Sequence, residues 1–375
     1  MKLRMLEQGI VYGSENPQKG DRSGYMPFFC EMEDGTLLSA QILASYFDAP
    51  DGEGYVLRSA DGGKTFTGAE KSPFDLSEVE KFFGADTQAC FKVATDGGDH
   101  VIAIGYGFVR NHGRTTIGNP ETGGVMDCPA LFAESFDGGK TFTPCVPVDS
   151  AWGYHTEASA PLYVLGNGDY VTPIAAMPDW DGKFATPQCG RLLRSEDKGK
   201  TWDDSTVTMD FGPDTTVWEQ RFAVTDSGKI VDVAWNENLK TGELYNNHIS
   251  ISTDNGKTFG AAIDTGVRGQ ATGICALGGE LVLTLHSMRK HVDRFGVLAC
   301  IVDVSENSWK PVWSDYIWEP RFAMKKVEGN LGVFNALRFG QPSAIRLKDG
   351  TILYTQWLME NEVCRTIWIR FALED

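Results

Sequence analysis

One octet, repeated along the chain, constrains this sequence more than any property of its composition. It reads Ser59-Ala60-Asp61-Gly62-Gly63-Lys64-Thr65-Phe66 and recurs at residues 135–142, 195–202 and 252–259 with the pattern S-x-D-x-G-x-T-[FW]. An eroded copy follows at Ser305-Glu306-Asn307-Ser308-Trp309. Self-similarity at this spacing points to an array of similar units. Aspartate accepts hydrogen bonds from turn amides and glycine supplies positive φ, so each octet is a turn whose Thr-aromatic end re-enters a strand. The Gly-Lys-Thr inside it is not a phosphate loop. That motif needs a glycine five positions earlier, where the chain has Arg58, Glu134, Arg194 and Ile251. Gly105-Tyr106-Gly107 likewise has Arg110 in place of the third glycine of a dinucleotide fingerprint. One aspartate per copy is too few ligands for calcium.

A second repeat interleaves with the first: an apolar run, a Gly-containing turn and another apolar run. Six units follow this pattern, opening near Met26, Ala89, Ala160, Arg221, Gly273 and Pro342. Short β-rich runs separated by turn signals read as antiparallel hairpins, and six such units predict a six-bladed β-propeller of four-stranded antiparallel blades. The sixth unit shows only three strands by residues 365–373, while residues 3–12 precede the first unit. Pairing those two segments closes the ring, which predicts one all-β domain over residues 1–375. Residues 76–83 are read as a short insert.

Composition narrows the function classes. The chain carries 34 Lys and Arg against 51 Asp and Glu, a net charge of −17, so a nucleic-acid backbone meets like-charge repulsion. No run of eighteen apolar residues suggests a membrane helix, and no apolar stretch follows the charged start, which sets the expectation of a cytoplasmic protein with no membrane partner. The eight cysteines show no paired spacing and are read as buried free thiols; no metal or cofactor is expected.

The octet is similar to the Asp-box of the sialidase (neuraminidase) superfamily of six-bladed propellers, also called the BNR repeat. The resemblance implies that Asp61, Asp137, Asp197 and Asp254 are structural turn residues. It also implies a site to look for: an arginine triad for a sugar carboxylate, an aspartate acid/base, and a tyrosine nucleophile paired with a glutamate. Here Gly24-Tyr25-Met26-Pro27 has Tyr25 at the first arginine, with Arg22 as a possible substitute. The aspartate corresponds to Asp48 or Asp51 in the loop before the first octet. Glu219 in Trp218-Glu219-Gln220-Arg221 matches the glutamate, and an acid among apolar neighbours has a raised pKa suited to proton transfer. The second arginine is missing from Trp235-Asn236-Glu237-Asn238, Arg294 is placed at the third, and Gln341 stands where the tyrosine belongs.

Residues that open each unit converge on one mouth, because the first strand of every blade lines the shaft. This brings His155 and Glu157 of unit three and Arg221 of unit four to the site, with Asp86, Gln88, Arg268, Gln270 and Arg338 from the other units. The catalytic candidates are therefore Glu219, Asp48, Asp51 and His155. Tyr25, Arg22, Glu157, Arg221, Arg294 and Gln341 are the candidates for holding substrate. Loops after the second strands add Arg110-Asn111-His112, residues 177–180 and His286-Ser287-Met288-Arg289, with His286 read as a solvated histidine. Arginine, carboxylates and aromatic rings together suit a carbohydrate. The leading expectation is a glycoside hydrolase acting on a terminal acidic sugar, with its classical triad and nucleophile altered. A uronate lyase using His155 or Tyr25 as base and a noncatalytic glycan-binding propeller are the alternatives; oligomeric state is not encoded legibly.

Overall fold

The computed structural model describes the chain apart from residues 112, 115, 186, 187, 291, 323 and 325–336. Six antiparallel sheets follow one another along the sequence and form the blades of a propeller. Blade one comprises Ser23–Glu31, Leu37–Ala44 and Glu53–Ser59; its fourth strand is reduced to one bridge between Arg58 and Thr67. Blade two comprises Thr87–Gly97, His100–Val109, Ala130–Ser135 and Val146–Val148, and blade three is built outward from Thr156–Glu157 and Tyr163–Val164. The inner strands of blades four, five and six are Trp218–Val224, Thr272–Gly278 and Phe339–Arg346. A short helix, Ser77–Phe83, fills the insert between blades one and two. No helix among the described residues is long and apolar enough to cross a membrane.

The ring closes as the terminal segments predict. Lys2–Tyr12 runs antiparallel to Val363–Glu374, with Leu3 opposite Leu373 and Ile10 opposite Ile367, and supplies the outer strand of blade six. Closure leaves the interior to apolar packing between neighbouring blades. Leu38, Phe91, Val101 and Leu131 join blades one and two, while Leu283, Ala299, Tyr354 and Phe371 join blades five and six. All eight cysteines are buried and unpaired, so no covalent link supports the ring.

Each octet joins the third and fourth strands at the rim opposite the start of the inner strands, and its chemistry is the same in every copy. In the first, Asp61 Oδ1 accepts from the amides of Lys64 and Thr65 at 3.0 Å and from Ser59 Oγ at 2.8 Å, and Oδ2 accepts from Thr65 Oγ1 at 2.6 Å. Asp137, Asp197 and Asp254 repeat this pattern. The eroded copy occupies the corresponding turn of blade five, where Asn307 has φ 52°. In the first and third octets an arginine before the serine adds a link between blades. Arg58 donates to the carbonyl of Gly138 in the next blade, Arg194 to that of Asn255, and Arg370, at the equivalent place in blade six, to Gly62 at 2.8 Å.

Two predictions follow from these contacts. Arg194 also pairs with Asp169 at the blade interface, where both are buried. Arg194→Ala leaves Asp169 buried without its partner, and a loss of about 3 kcal/mol is expected in urea unfolding. The apolar pair Arg194→Met/Asp169→Leu should recover most of it. The hydrogen bonds of Thr141, Thr201 and Thr258, opposed by burial in the case of Asp137 and Asp254, hold the three aspartates down to about 2. Their contribution is complete above the unfolded value of about 3.9 and is lost as pH falls through 2. Melting temperature followed from pH 5 to pH 2 should drop less steeply in the triple Asp→Asn variant than in the wild type.

A candidate active site at the mouth of the propeller

The inner strands of three blades break register at the same level. Blade one skips between Tyr25 and Phe28, blade four between Trp218 and Arg221, and blade six between Gly340 and Ser343. Each bulge holds one non-glycine residue at positive φ: Met26 at 57°, Glu219 at 45° and Gln341 at 44°. Such a backbone is costly for an L-residue and persists only where the surroundings enforce it. A bulge also re-aims a side chain, and here the two polar ones meet across the shaft.

Glu219 is the centre of that meeting. Its Oε2 accepts from Trp235 Nε1 at 2.8 Å and its Oε1 from Gln341 Nε2 at 2.9 Å. The carbonyl oxygen of Gln341 in turn accepts from Trp357 Nε1. Glutamine therefore makes to Glu219 the hydrogen bond that the resemblance assigns to a tyrosine hydroxyl. Trp357 is fully buried and packs on Phe47 at 4.9 Å between ring centroids, and Phe47 packs on Tyr25 at 5.0 Å. Trp357 and Phe47 carry no sequence signal marking them as site residues.

Glu157 reaches the same point from blade three. Its Oε2 accepts the backbone N–H of Glu219 at 3.1 Å, and burial, reinforced by the Glu219 charge, pushes its carboxyl well above the usual range. Tyr25 is buried, and its hydroxyl accepts from Gln88 Nε2 at 3.1 Å and from the amide of Asp48 at 3.3 Å. Burial and the nearby Asp48 raise its phenol well above 10, which works against its use as a base. Asp48 lies on this network with φ 62°, and burial pushes its carboxyl up to about 6 against the opposing charge of Arg110. Arg110 donates to Gln88 and to the carbonyl of Asp48 at 3.2 Å.

Other sequence candidates lie elsewhere. Asp51 is exposed and accepts from the amide and hydroxyl of Ser45, so it builds its own turn. Arg22 is exposed and donates to the hydroxyl of Tyr55 at 2.9 Å. Arg294 is exposed on blade five, paired with Glu319 at 2.8 and 3.0 Å. A further arginine that interacts with Glu219 is Arg289, whose Nη1 donates to the carbonyl of Phe339 at 2.7 Å and whose guanidinium is lowered by burial to about 10, opposed by Glu219. A Cβ on Gly340 would lie 2.1 Å from that nitrogen, so a larger residue here would displace the guanidinium. Lys290 follows it and pairs with Glu237 at 2.7 Å, where the second arginine was sought.

The histidines are corrected or reduced in role. His286 is fully buried in a strand, with ring nitrogens 2.8 Å from Asn247 Oδ1 and 3.0 Å from Thr284 Oγ1, and burial lowers it to about 3. It is a neutral core group and not a solvated one. His155 is half-buried, its Nδ1 without a hydrogen-bond partner among the described residues. His112 lies outside the described residues. Arg221 is 3% exposed and its Nη2 stands 4.0 Å from Glu219 Oε1. No group of three or more potential metal ligands occurs among the described residues.

No protein-family model and no curated protein matches this chain. Solved structures do. A protein of unknown function from Dyadobacter fermentans is 18% identical with a TM-score of 0.71, and 99% of each chain is covered. The NanB sialidase from Streptococcus pneumoniae is 12% identical with a TM-score of 0.64, over 97% of this chain and 70% of that one. The Trypanosoma rangeli sialidase in complex with the inhibitor DANA is 14% identical with a TM-score of 0.62, and this chain covers 55% of its length. The fold is thus that of the six-bladed sialidase propellers.

The contact between the two acids generates a prediction for Glu157. Removing the Glu219 charge by Glu219→Gln removes one of the causes that raise the Glu157 carboxyl, so its midpoint should fall. A pH titration of the glutamate carboxyl carbons by NMR checks this; an unmoved midpoint would refute the coupling.

Proposed function

We propose that this chain is a glycoside hydrolase acting on a terminal acidic sugar at the propeller mouth, with Glu219 as base and Asp48 as acid. One observation carries the reading: Glu219 sits on a strained bulge with both carboxylate oxygens oriented by neutral donors, Trp235 and Gln341. Neutral donors orient the carboxylate without the full charge of a close salt bridge. The sialidase fold of the solved neighbours supports the substrate class. Arg289, whose guanidinium interacts with the Glu219 charge, is the candidate for a sugar carboxylate.

Gln341 has no nucleophilic oxygen comparable with a phenolate, so the consistent chemistry uses water. Glu219 takes a proton from a water as its oxygen attacks the anomeric carbon. Asp48 delivers a proton to the departing glycosidic oxygen, which leaves as an alcohol. This is the inverting form, for which the carboxyl groups stand about 6.5–9.5 Å apart. A carboxyl raised to about 6 retains its proton in the range where an acid of this kind works.

The test is turnover of aryl glycosides of sialic acid, uronic acids and neutral sugars by wild type, Glu219→Gln and Asp48→Asn. Hydrolysis of an acidic glycoside is expected, reduced at least about 100-fold in Glu219→Gln. Because the acid must hold its proton, kcat/KM should fall as pH rises above 6, and Asp48→Asn should abolish that limb. NMR of the first-formed sugar should show inverted configuration. Binding without turnover across the panel would replace this reading by a glycan-binding propeller. Unsaturated ends from oligouronates, seen near 235 nm, would replace it by a lyase.

A further inference from the structure

The sequence places Glu157 among the candidates for holding substrate, but at 4% exposed it presents almost no surface to a ligand. What it touches is the backbone of Glu219. In the bulge between Trp218 and Arg221, Glu219 has no partner in the register with the second strand of blade four. A backbone N–H drawn away from water needs an acceptor. Glu157 Oε2 supplies it at 3.1 Å, from blade three and 62 positions away in the chain. The carbonyl of the same residue is met from blade five, where the fully buried Thr272 donates from Oγ1 at 3.4 Å. Glu219 is thus held by its backbone from the two flanking blades and by its carboxylate from Trp235 and Gln341.

The φ of 45° makes the backbone contacts consequential. Left-handed geometry is unfavourable for a glutamate and persists only where its surroundings fix it. A regular strand sends successive side chains to opposite faces, so relaxing the bulge would turn the carboxylate away from Trp235 and Gln341. Glu157 can hold the amide in either protonation state, because one carboxyl oxygen accepts whether or not the group carries its proton. Burial and the Glu219 charge raise that carboxyl, and Arg221 opposes them. The other titratable groups that interact with it are Lys92, Tyr106 and Cys128, all buried.

We propose that Glu157 is a positioning residue for the base: it touches no substrate and holds the backbone bulge that aims the Glu219 carboxylate, with Thr272 as a lesser clamp on the same residue. The proposal rests on the reading of Glu219 as the base.

The test compares two variants of the full chain on an acidic aryl glycoside. Glu157→Met removes the acceptor at similar volume, and Glu157→Gln keeps one. Glu157→Met should lower kcat at least about tenfold with KM within about twofold of wild type, since misplacing a base costs the chemical step and not binding. Glu157→Gln should keep kcat within about threefold of wild type, because its side-chain oxygen still accepts the amide. A second readout needs no turnover. The indole N–H of Trp235, which donates to Glu219 Oε2, gives an NMR resonance identified by its loss in Trp235→Phe. It should shift in Glu157→Met and stay in place in Glu157→Gln. Thr272→Val alters no charge and serves where Glu157→Met does not fold; it should shift the same resonance and lower kcat at least about threefold. An unmoved Trp235 resonance in Glu157→Met, or in Thr272→Val should the first not fold, would overturn the proposal, as would equal kcat in Glu157→Met and Glu157→Gln. Absence of turnover by the wild type would remove the hydrolase reading alone, and the indole resonance would still decide whether Glu157 holds Glu219.

Discussion

The pairing of residues 2–12 with residues 363–374 is the contact on which the rest of this molecule depends. A twisted row of blades has two exposed edges, and only closure removes both while forcing the inner strands to face a common axis. The mouth exists because of that convergence. Tyr25 comes from blade one, Gln88 from blade two, Glu157 from blade three, Glu219 from blade four and Gln341 from blade six. The hydrogen bond from Gln341 to Glu219 joins residues 122 positions apart. With no disulfide in the ring, its geometry rests on strand pairing and on apolar contact between blades.

The two rims divide the labour. At one, octet aspartates are exposed or nearly so, satisfied by their own turns and held low by local hydrogen bonds. At the other, carboxyls are drawn into low-dielectric surroundings and pushed up: Glu157 by burial and by its neighbour Glu219, Asp48 by burial alone. The same residue types thus have opposite proton affinities at the two ends of the shaft. Positive-φ bulges put the mouth residues there, and the neighbouring blades supply the contacts that stabilise the strained backbone.

Much of this was legible in order of sequence distance. The octet turns follow from partners within five residues, so Asp61, Asp137, Asp197 and Asp254 were read correctly as structural. Alternation of apolar runs and turns sufficed for six blades and for closure by the termini. The place of Glu219 on an inner strand was legible because it lies at the fixed opening of a unit. Arg58 and Arg194, noticed only for not being glycine, turned out to tie neighbouring blades together.

Selection among similar residues required the tertiary structure. Asp48 and Asp51 are three positions apart, yet the main-chain amide of Asp48 donates to Tyr25 while the carboxylate of Asp51 caps Ser45. Arg289 and Arg294 lie in one loop, yet Arg289 reaches the carbonyl of Phe339 and Arg294 turns outward to Glu319. His286, which reads as a loop residue, extends a strand into the core. The sequence alone determined the turns, the number of blades and the closure of the ring, because those depend on short-range hydrogen bonding and periodic apolar burial. Only the tertiary structure decided which charged side chains share the mouth, because a flexible side chain is directed by neighbours that the ring brings together from distant parts of the chain.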